Sequence, residues 1–222
     1  MARHLILFDC DGTLVDSQHD IVAAMVYAFT HVAIAPPSRE KILAVVGLSV
    51  PEAIRELAPQ LSGETREVLM RAFRAGGTAQ RAAGGRDSPL YPGAQETIAN
   101  LSARDDVVLG VATGKSLRGV QRLFDRHDWH PHFATIQTAD TNRSKPDPDM
   151  IETAMAEVGV KPTHTFMIGD TTFDMAMAQA AGVTAIGVTW GYHAERDIVA
   201  AGADKVVHSF AELLPAITAL RR

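Results

Sequence analysis

His4-Leu5-Ile6-Leu7-Phe8-Asp9-Cys10-Asp11-Gly12-Thr13-Leu14-Val15-Asp16-Ser17 is the stretch whose reading decides the fold. A short apolar run bounded by polar and turn residues reads as a buried strand, here one that delivers two carboxylates at its C-terminal end. Side chains of extended chain alternate faces, so Asp9 and Asp11 are expected to point one way and Cys10 the other. Gly12 can take the tight turn in which backbone N–H groups face inward, which suits an anion held beside the carboxylates. On its own a D-x-D-G segment reads first as a strand ending in a solvated acidic turn, and the rest of the chain has to decide.

Beyond Ser17 the pattern is helical. Ser17 with Asp20 resembles a capping box, and Ile21, Ala24, Met25, Ala28, Phe29 and Val32 recur at helical spacing, so a helix is expected to about Ala33. Pro36-Pro37 stops it, Ser38 caps a second helix through Val46, and Gly47 ends that one. Ser49-Val50-Pro51-Glu52 opens a third helix through Leu57, and a fourth, roughly Glu64 to Ala83, closes at Gly84-Gly85. No strand pattern occurs between Asp16 and Gly85. The block 16–87 therefore reads as an all-helical insertion, with Val15-Asp16 and Gly84 to Pro92 as its connectors.

From Tyr91-Pro92-Gly93 the texture changes to alternating helix and apolar run. Strands are expected at Val107 to Ala112, Ala134 to Thr138, Thr165 to Gly169, Thr184 to Val188 and Lys205 to Val207, with helices between and after them. Such alternation implies crossover connections and a mostly parallel sheet with helices on both faces, built from residues 1–15 and 88–222. In open sheets of this kind ligands bind at the carboxyl ends of the strands.

Composition sets the class of partner. A chain of 222 residues, 46% hydrophobic and 21% charged, has the balance of a soluble globular protein with room for one domain and an insertion. A formal charge of -5 offers no broad basic footprint, so neither nucleic acid nor anionic lipid is expected, and a small molecule is the default partner. Cys10 is alone, which excludes an intrachain disulfide, and no apolar stretch approaches the ~20 residues of a spanning helix. The N-terminal apolar run is short and ends in acids, unlike a signal peptide. A reducing cytoplasm is the expected setting; oligomeric state is left open.

The carboxyl ends of the expected strands hold Asp9 and Asp11, then Thr113-Gly114, then Gly169-Asp170 with Asp174 one helical turn on. Lys145 follows another strand, in Arg143-Ser144-Lys145-Pro146-Asp147. Carboxylates are hard donors that suit Mg²⁺, and a hydroxyl, backbone N–H groups and one ammonium are what a phosphoryl group needs for positioning. In that order, Asp9-Cys10-Asp11-Gly12-Thr13, Thr113-Gly114, Lys145-Pro146 and Gly169-Asp170-Thr171-Thr172-Phe173-Asp174 resemble the four motifs of the haloacid dehalogenase superfamily of phosphohydrolases. The resemblance spans the chain. It implies an α/β fold, a Rossmann-like doubly wound parallel sheet, with the helical insertion as a C1-type cap of the kind found in phosphoglycolate phosphatase and its relatives.

The resemblance also implies roles. Asp9 would be the nucleophile that forms an aspartyl-phosphate, and Asp11 would protonate the leaving oxygen and then take a proton from water. Mg²⁺ would be held by Asp9, the backbone carbonyl of Asp11 and Asp170, with Asp174 orienting a metal-bound water or Lys145 from behind. Thr113, the Gly114 N–H and Lys145 would bind phosphoryl oxygens, beside the Gly12 turn. In the cap, Gly47-Leu48-Ser49 is expected to close over the substrate, since Gly47 permits close backbone approach and the helix opened by Ser49 favours an anion; the plainer alternative is that the two residues only cap helices. The implied reaction is Mg²⁺-dependent hydrolysis of a small phosphorylated metabolite, phosphoglycolate being the natural first guess. A mutase like β-phosphoglucomutase shares the layout and is the enzymatic rival. A phosphate-sensing receiver module and a scaffold that has lost catalysis are the non-enzymatic ones. Asp11 argues against the dehalogenase branch, which lacks that second acid; the absence of a lysine between Gly47 and Ile54 argues against the phosphonate-cleaving branch.

Other residues invite readings of their own. Gly110 to Ser116 falls one residue short of a P-loop, since its first glycine would have to stand where Leu109 is, which leaves Lys115 as a solvated residue at a helix start, with reach to the cap interface as the alternative. His127, His130 and His132 are expected on a surface loop, and Met150, Met155, Met167, Met175 and Met177 in the core. Trp190-Gly191-Tyr192 follows a strand end, to border the cleft or to pack under the sheet rim.

Overall fold

The computed structural model describes residues 3–82 and 88–220. Its elements are β1 (His4–Phe8), α1 (Gln18–His31), α2 (Arg39–Leu43), α3 (Val50–Leu57), α4 (Gly63–Ala82), α5 (Ala94–Ser102), β2 (Val107–Thr113), α6 (Leu117–His127), β3 (Phe133–Thr138), α7 (Asp149–Val158), β4 (Thr165–Gly169), α8 (Thr172–Ala181), β5 (Thr184–Val188), α9 (Glu195–Ala200), β6 (Lys205–Val207) and α10 (Leu213–Leu220). The six strands form one parallel sheet in the order β3-β2-β1-β4-β5-β6. β1 lies between β2 and β4, which is why all five of its residues are buried and apolar or enclosed.

The alternation read from the first segment holds. Ile6 and Phe8 pack into one apolar layer with Cys10, Leu109 and Phe166, while Leu5 and Leu7 pack into the other with Val108, Met167 and Met175. Register then sets the site. Phe8 is level with Val111 on one side and Ile168 on the other, so Asp9, Thr113 and Asp170 emerge together along one sheet edge. The strand order also reverses direction at β1, and a crevice forms at such a reversal.

Helices α1 to α4 carry an apolar cluster of their own, with Met25, Phe29, Ile42, Ile54 and Leu69 at its centre. They join the sheet through two lengths of chain that run side by side. Asp16 N–H donates to the Pro89 carbonyl at 2.9 Å, Tyr91 N–H to the Leu14 carbonyl at 3.0 Å, and Val15 bridges Leu90. Gly84-Gly85, read above as the end of the last insertion helix, lies outside the described residues.

Two local expectations need correction. α2 stops at Leu43 and not at Val46, because Ala44 and Val45 turn and β-branched Val45 and Val46 gain little from helix, letting Gly47 adopt φ +103°. The capping box at Ser17 does not form: its hydroxyl makes no cap bond and is taken by Asp11, while Asp20 accepts from Ser88 Oγ at 2.6 Å. The five methionines expected in the core are all buried.

Candidate active site

Four side chains meet at the ends of β1 and β4. Asp9, Asp170 and Asp174 are buried, and each offers a carboxylate oxygen within 4.8 Å of the others. Lys145 is buried among them, its Nζ 2.6 Å from Asp174 Oδ1 and 3.1 Å from Asp9 Oδ2. Each acid is held by donors from the chain that surrounds it. Cys10 N–H donates to Asp9 Oδ1 at 2.6 Å; Thr13 Oγ1 and Tyr192 N–H donate to the two oxygens of Asp170 at 2.8 and 2.9 Å. Thr171 caps α8 in a reciprocal capping box with Asp174, whose Oδ2 accepts from Thr171 N–H and Oγ1. Gly12 holds φ +88°, and a Cβ there would sit 2.2 Å from Asp170 Oδ2, so only glycine lets the turn pass the carboxylate.

One ammonium does not balance three buried carboxylates. Burial, reinforced by Asp174 and partly offset by Lys145, pushes the Asp9 carboxyl from 3.8 to about 6. Burial first, then Asp174 and Asp9, raises Asp170 well above the usual carboxylate range. Burial works against the charge on Lys145, but Asp174 and Asp9 outweigh it and hold its pKa above the ordinary value. Asp9 Oδ2 lies at ion-pair distance from Lys145 yet has no partner of hydrogen-bond geometry. A buried, all-oxygen donor set with surplus negative charge and an unsatisfied oxygen fits a hard divalent cation.

Around this centre the structure brings together the other expected residues. Thr113 ends β2 and is buried, and its Oγ1 accepts from Lys115 N–H at 3.2 Å. Gly114 faces the cap: a Cβ on it would stand 2.6 Å from the carbonyl oxygens of Gly47 and Leu48. Asp11 stands apart from the triad, its Oδ1 accepting from Ser17 Oγ at 2.5 Å and Lys115 Nζ at 2.6 Å. A cavity of about 1190 Å³ opens between this floor and a cap wall that includes Ile21, Met25, Val46 and Phe73.

One expectation changes, and two open alternatives are resolved. Lys115 is not a solvated helix-start residue: it is ion-paired to Asp11, which holds its pKa above the ordinary lysine value although burial opposes the charge. Ser49 lines the cleft, but its Oγ caps α3 through Glu52 N–H and its own N–H donates to Ser144 Oγ at 2.8 Å, so both groups already have protein partners. Trp190 and Tyr192 divide the two roles offered to their loop. Trp190 packs on Phe210 at 4.7 Å under the rim and donates to the Thr13 carbonyl at 3.0 Å; Tyr192 reaches Ser17 inside the site. From sequence, Ser17 has no site role and reads as a helix cap, and Thr13 and Thr171 appear only as members of their motifs. His130 pairs with exposed Asp125, and the three carboxylates above are the metal-type cluster among the described residues.

Comparison with known proteins agrees with this geometry. The profile of the family described as haloacid dehalogenase-like hydrolase matches residues 6–188. The chain is 34% identical to the protein of Dickeya dadantii named "Probable phosphatase IndB", over 98% of this chain and 95% of that one. It is 29% identical to a phosphoglycolate phosphatase of Photorhabdus laumondii, over 96% of this chain and 91% of that one. Among solved structures, a haloacid dehalogenase-like hydrolase, SP0104 of Streptococcus pneumoniae, superposes with a TM-score of 0.82 at 26% identity, covering 96% of this chain and 98% of the other. With the acids of β1, the β2 hydroxyl, the buried lysine and the acids after β4 on one sheet edge, the chain belongs to the haloacid dehalogenase-like hydrolase family.

Proposed function

We propose that this hydrolase is a Mg²⁺-dependent phosphatase of small phosphomonoesters, working in a reducing cytoplasm through an aspartyl-phosphate on Asp9. The observation that carries the reading is the buried Asp9–Asp170–Asp174 cluster around Lys145, with Asp11 and Thr113 beside it. Asp9 attacks phosphorus while Asp11 gives a proton to the departing oxygen; water then attacks the acyl phosphate while Asp11 takes its proton and the Asp9 carboxylate departs. Thr113 Oγ1, Gly114 N–H and Lys145 Nζ position the phosphoryl oxygens. Asp9, Asp170 and the Asp11 carbonyl would hold Mg²⁺, which when bound neutralises charge so that an anionic carboxylate can approach an anionic phosphate. Asp174 fixes Lys145.

For the alcohol portion, a short phosphorylated carboxylic acid such as phosphoglycolate is the first candidate, supported by the name of a relative. The cleft, at about 1190 Å³, is larger than a two-carbon acid fills, so phosphate release across a metabolite panel is the test of substrate.

Chelation should abolish turnover of p-nitrophenyl phosphate and Mg²⁺ should restore it; undiminished rates in excess chelator would count against the reading. Asp9→Asn should reduce turnover to background while leaving the circular dichroism spectrum unchanged, since the amide is nearly isosteric and a poor nucleophile.

Stability provides a check that needs no substrate. The Asp9 carboxyl is raised in the fold, so its contribution is present below its ordinary value of 3.8 and lost as pH rises through about 6. Above that pH the metal-free cluster repels itself. At 100 times its Kd, Mg²⁺ should add about 2.7 kcal/mol, a rise in Tm of roughly 5 to 10 °C for a chain of this size. Asp170→Asn should remove most of that rise while leaving the metal-free Tm at pH 8 no lower than wild type. A wild-type Tm indifferent to Mg²⁺ would contradict the metal assignment.

The contact between Gly114 and the Gly47-Leu48 carbonyls suggests where closure is sensed. Gly114→Ala keeps the N–H but forces the cap loop away. It should lower kcat/KM for the preferred metabolite about tenfold or more, and for p-nitrophenyl phosphate much less, because only the former depends on closure. Equal losses on the two would place selectivity elsewhere.

A further inference from the structure

Ser17 opens α1, where its hydroxyl would ordinarily cap the helix, yet it makes no cap bond. It is buried and spends that hydroxyl on Asp11 Oδ1, 2.5 Å away. Behind it stands Tyr192. Ser17 N–H donates to the Tyr192 phenol oxygen at 3.1 Å, and the phenol lies 3.1 Å from Ser17 Oγ. Each hydroxyl has a single proton, so one direction satisfies every contact. Ser17 N–H supplies the phenol oxygen, the phenol proton goes to Ser17 Oγ, and the Ser17 proton goes to Asp11. Burial, then Asp11, holds the phenol above its ordinary pKa, which keeps it a neutral donor.

The loop carrying Tyr192 is itself tied down. Tyr192 N–H donates to Asp170 Oδ2, and Trp190 Nε1 donates to the Thr13 carbonyl. At the other end of the chain of bonds, Lys115 Nζ is a second donor on the same Oδ1. Among the described residues both donors to the Asp11 carboxyl act on one oxygen, which leaves Oδ2 free of them on a side chain that lines the cleft.

We propose that Tyr192 and Ser17 are positioning residues that clamp Oδ1 and aim Oδ2 of Asp11 at the leaving oxygen; this rests on the phosphatase reading above. In the first half-reaction the Asp9 carboxylate forms a bond to phosphorus, the bond from phosphorus to the ester oxygen breaks, and that oxygen takes the proton from Asp11 Oδ2. In the second, water forms the new bond to phosphorus, Asp9 leaves as carboxylate, and the proton of water returns to Oδ2. Because Ser17 begins the first cap helix, the clamp also ties the aim of the acid to the chain that connects cap and sheet.

The test compares two generic probes of nearly equal size, p-nitrophenyl phosphate and phenyl phosphate. Unsubstituted phenolate is the more basic leaving group and gains more from protonation. The parameter is kcat/KM, which covers the steps through phosphorylation of Asp9 and omits its hydrolysis. In Tyr192→Phe the phenyl to p-nitrophenyl ratio of kcat/KM should fall on the order of fivefold, part of the 10²- to 10⁴-fold that general acid catalysis is worth. Ser17→Ala should lower the ratio further, and Ser17→Thr, which keeps the hydroxyl, should restore it to near the wild-type value. A ratio that stays constant in both Tyr192→Phe and Ser17→Ala, including the case where both probes slow equally, overturns the positioning role while leaving the phosphatase reading intact. A wild-type chain that cleaves neither probe in Mg²⁺ overturns both.

Discussion

Crowding of negative charge at the carboxyl ends of β1 and β4 is the constraint on which the rest of the structure depends. Two like charges 4 Å apart repel by about 4 kcal/mol at an effective dielectric near 20, against a net stability of about 5 to 15 kcal/mol for a whole domain. Three such carboxylates, buried, are tolerated only because the surrounding chain is arranged to receive them. The Cys10 N–H, the Thr13 hydroxyl, the Tyr192 N–H and the Thr171 capping box each donate to one of them, and Lys145 stands between two. Burial, and after it the neighbouring carboxylates, hold the Asp9 and Asp170 carboxyls above their ordinary range despite these contacts. That crowding is what a bound cation can relieve.

Chemistry and access are assigned to different parts of the chain. The sheet and its connections supply every charged group of the centre: Asp9 and Asp170 from strand ends whose register is set by buried apolar neighbours, Lys145 from the loop after β3 and Asp174 from the first turn of α8. The helical insertion has an apolar cluster of its own and contributes a largely apolar wall to the cleft. The two meet where Gly114 lies against the carbonyls of Gly47 and Leu48, and at Ser17, which belongs to the helix by position and to Asp11 by hydrogen bonding. Movement of the insertion would therefore be felt at the acid as well as over the substrate.

Much of this was legible in the order of residues, for physical reasons. The strand period of two places Asp9 and Asp11 opposite Cys10, and alternating apolar runs with helices imply the parallel sheet and the edge at which Thr113, Lys145 and Asp170 gather. What escaped were contacts between residues far apart in sequence. Lys115 and Asp11 are 104 positions apart, and Tyr192 and Ser17 are 175 apart, so no local pattern announces either pair. At Ser17 the local pattern misleads. Ser17 and Asp20 have the spacing of a capping box, but the serine hydroxyl is drawn to the charged Asp11 carboxylate, to which it donates at 2.5 Å, and caps nothing, while Ser88 donates to Asp20. At Ser49 the reverse holds, and the helix cap that local pattern indicates is formed.

The most direct measurement is to identify which atom carries the phosphoryl group during turnover. Wild-type chain mixed with Mg²⁺ and p-nitrophenyl phosphate, quenched in acid within the first turnovers and mapped by mass spectrometry, should carry one phosphate on Asp9 and none on Asp11, Asp170 or Asp174. Phosphate on any other residue, or a chain that stays unmodified while the first turnover releases p-nitrophenol in a burst, would contradict the assignment of Asp9 as nucleophile.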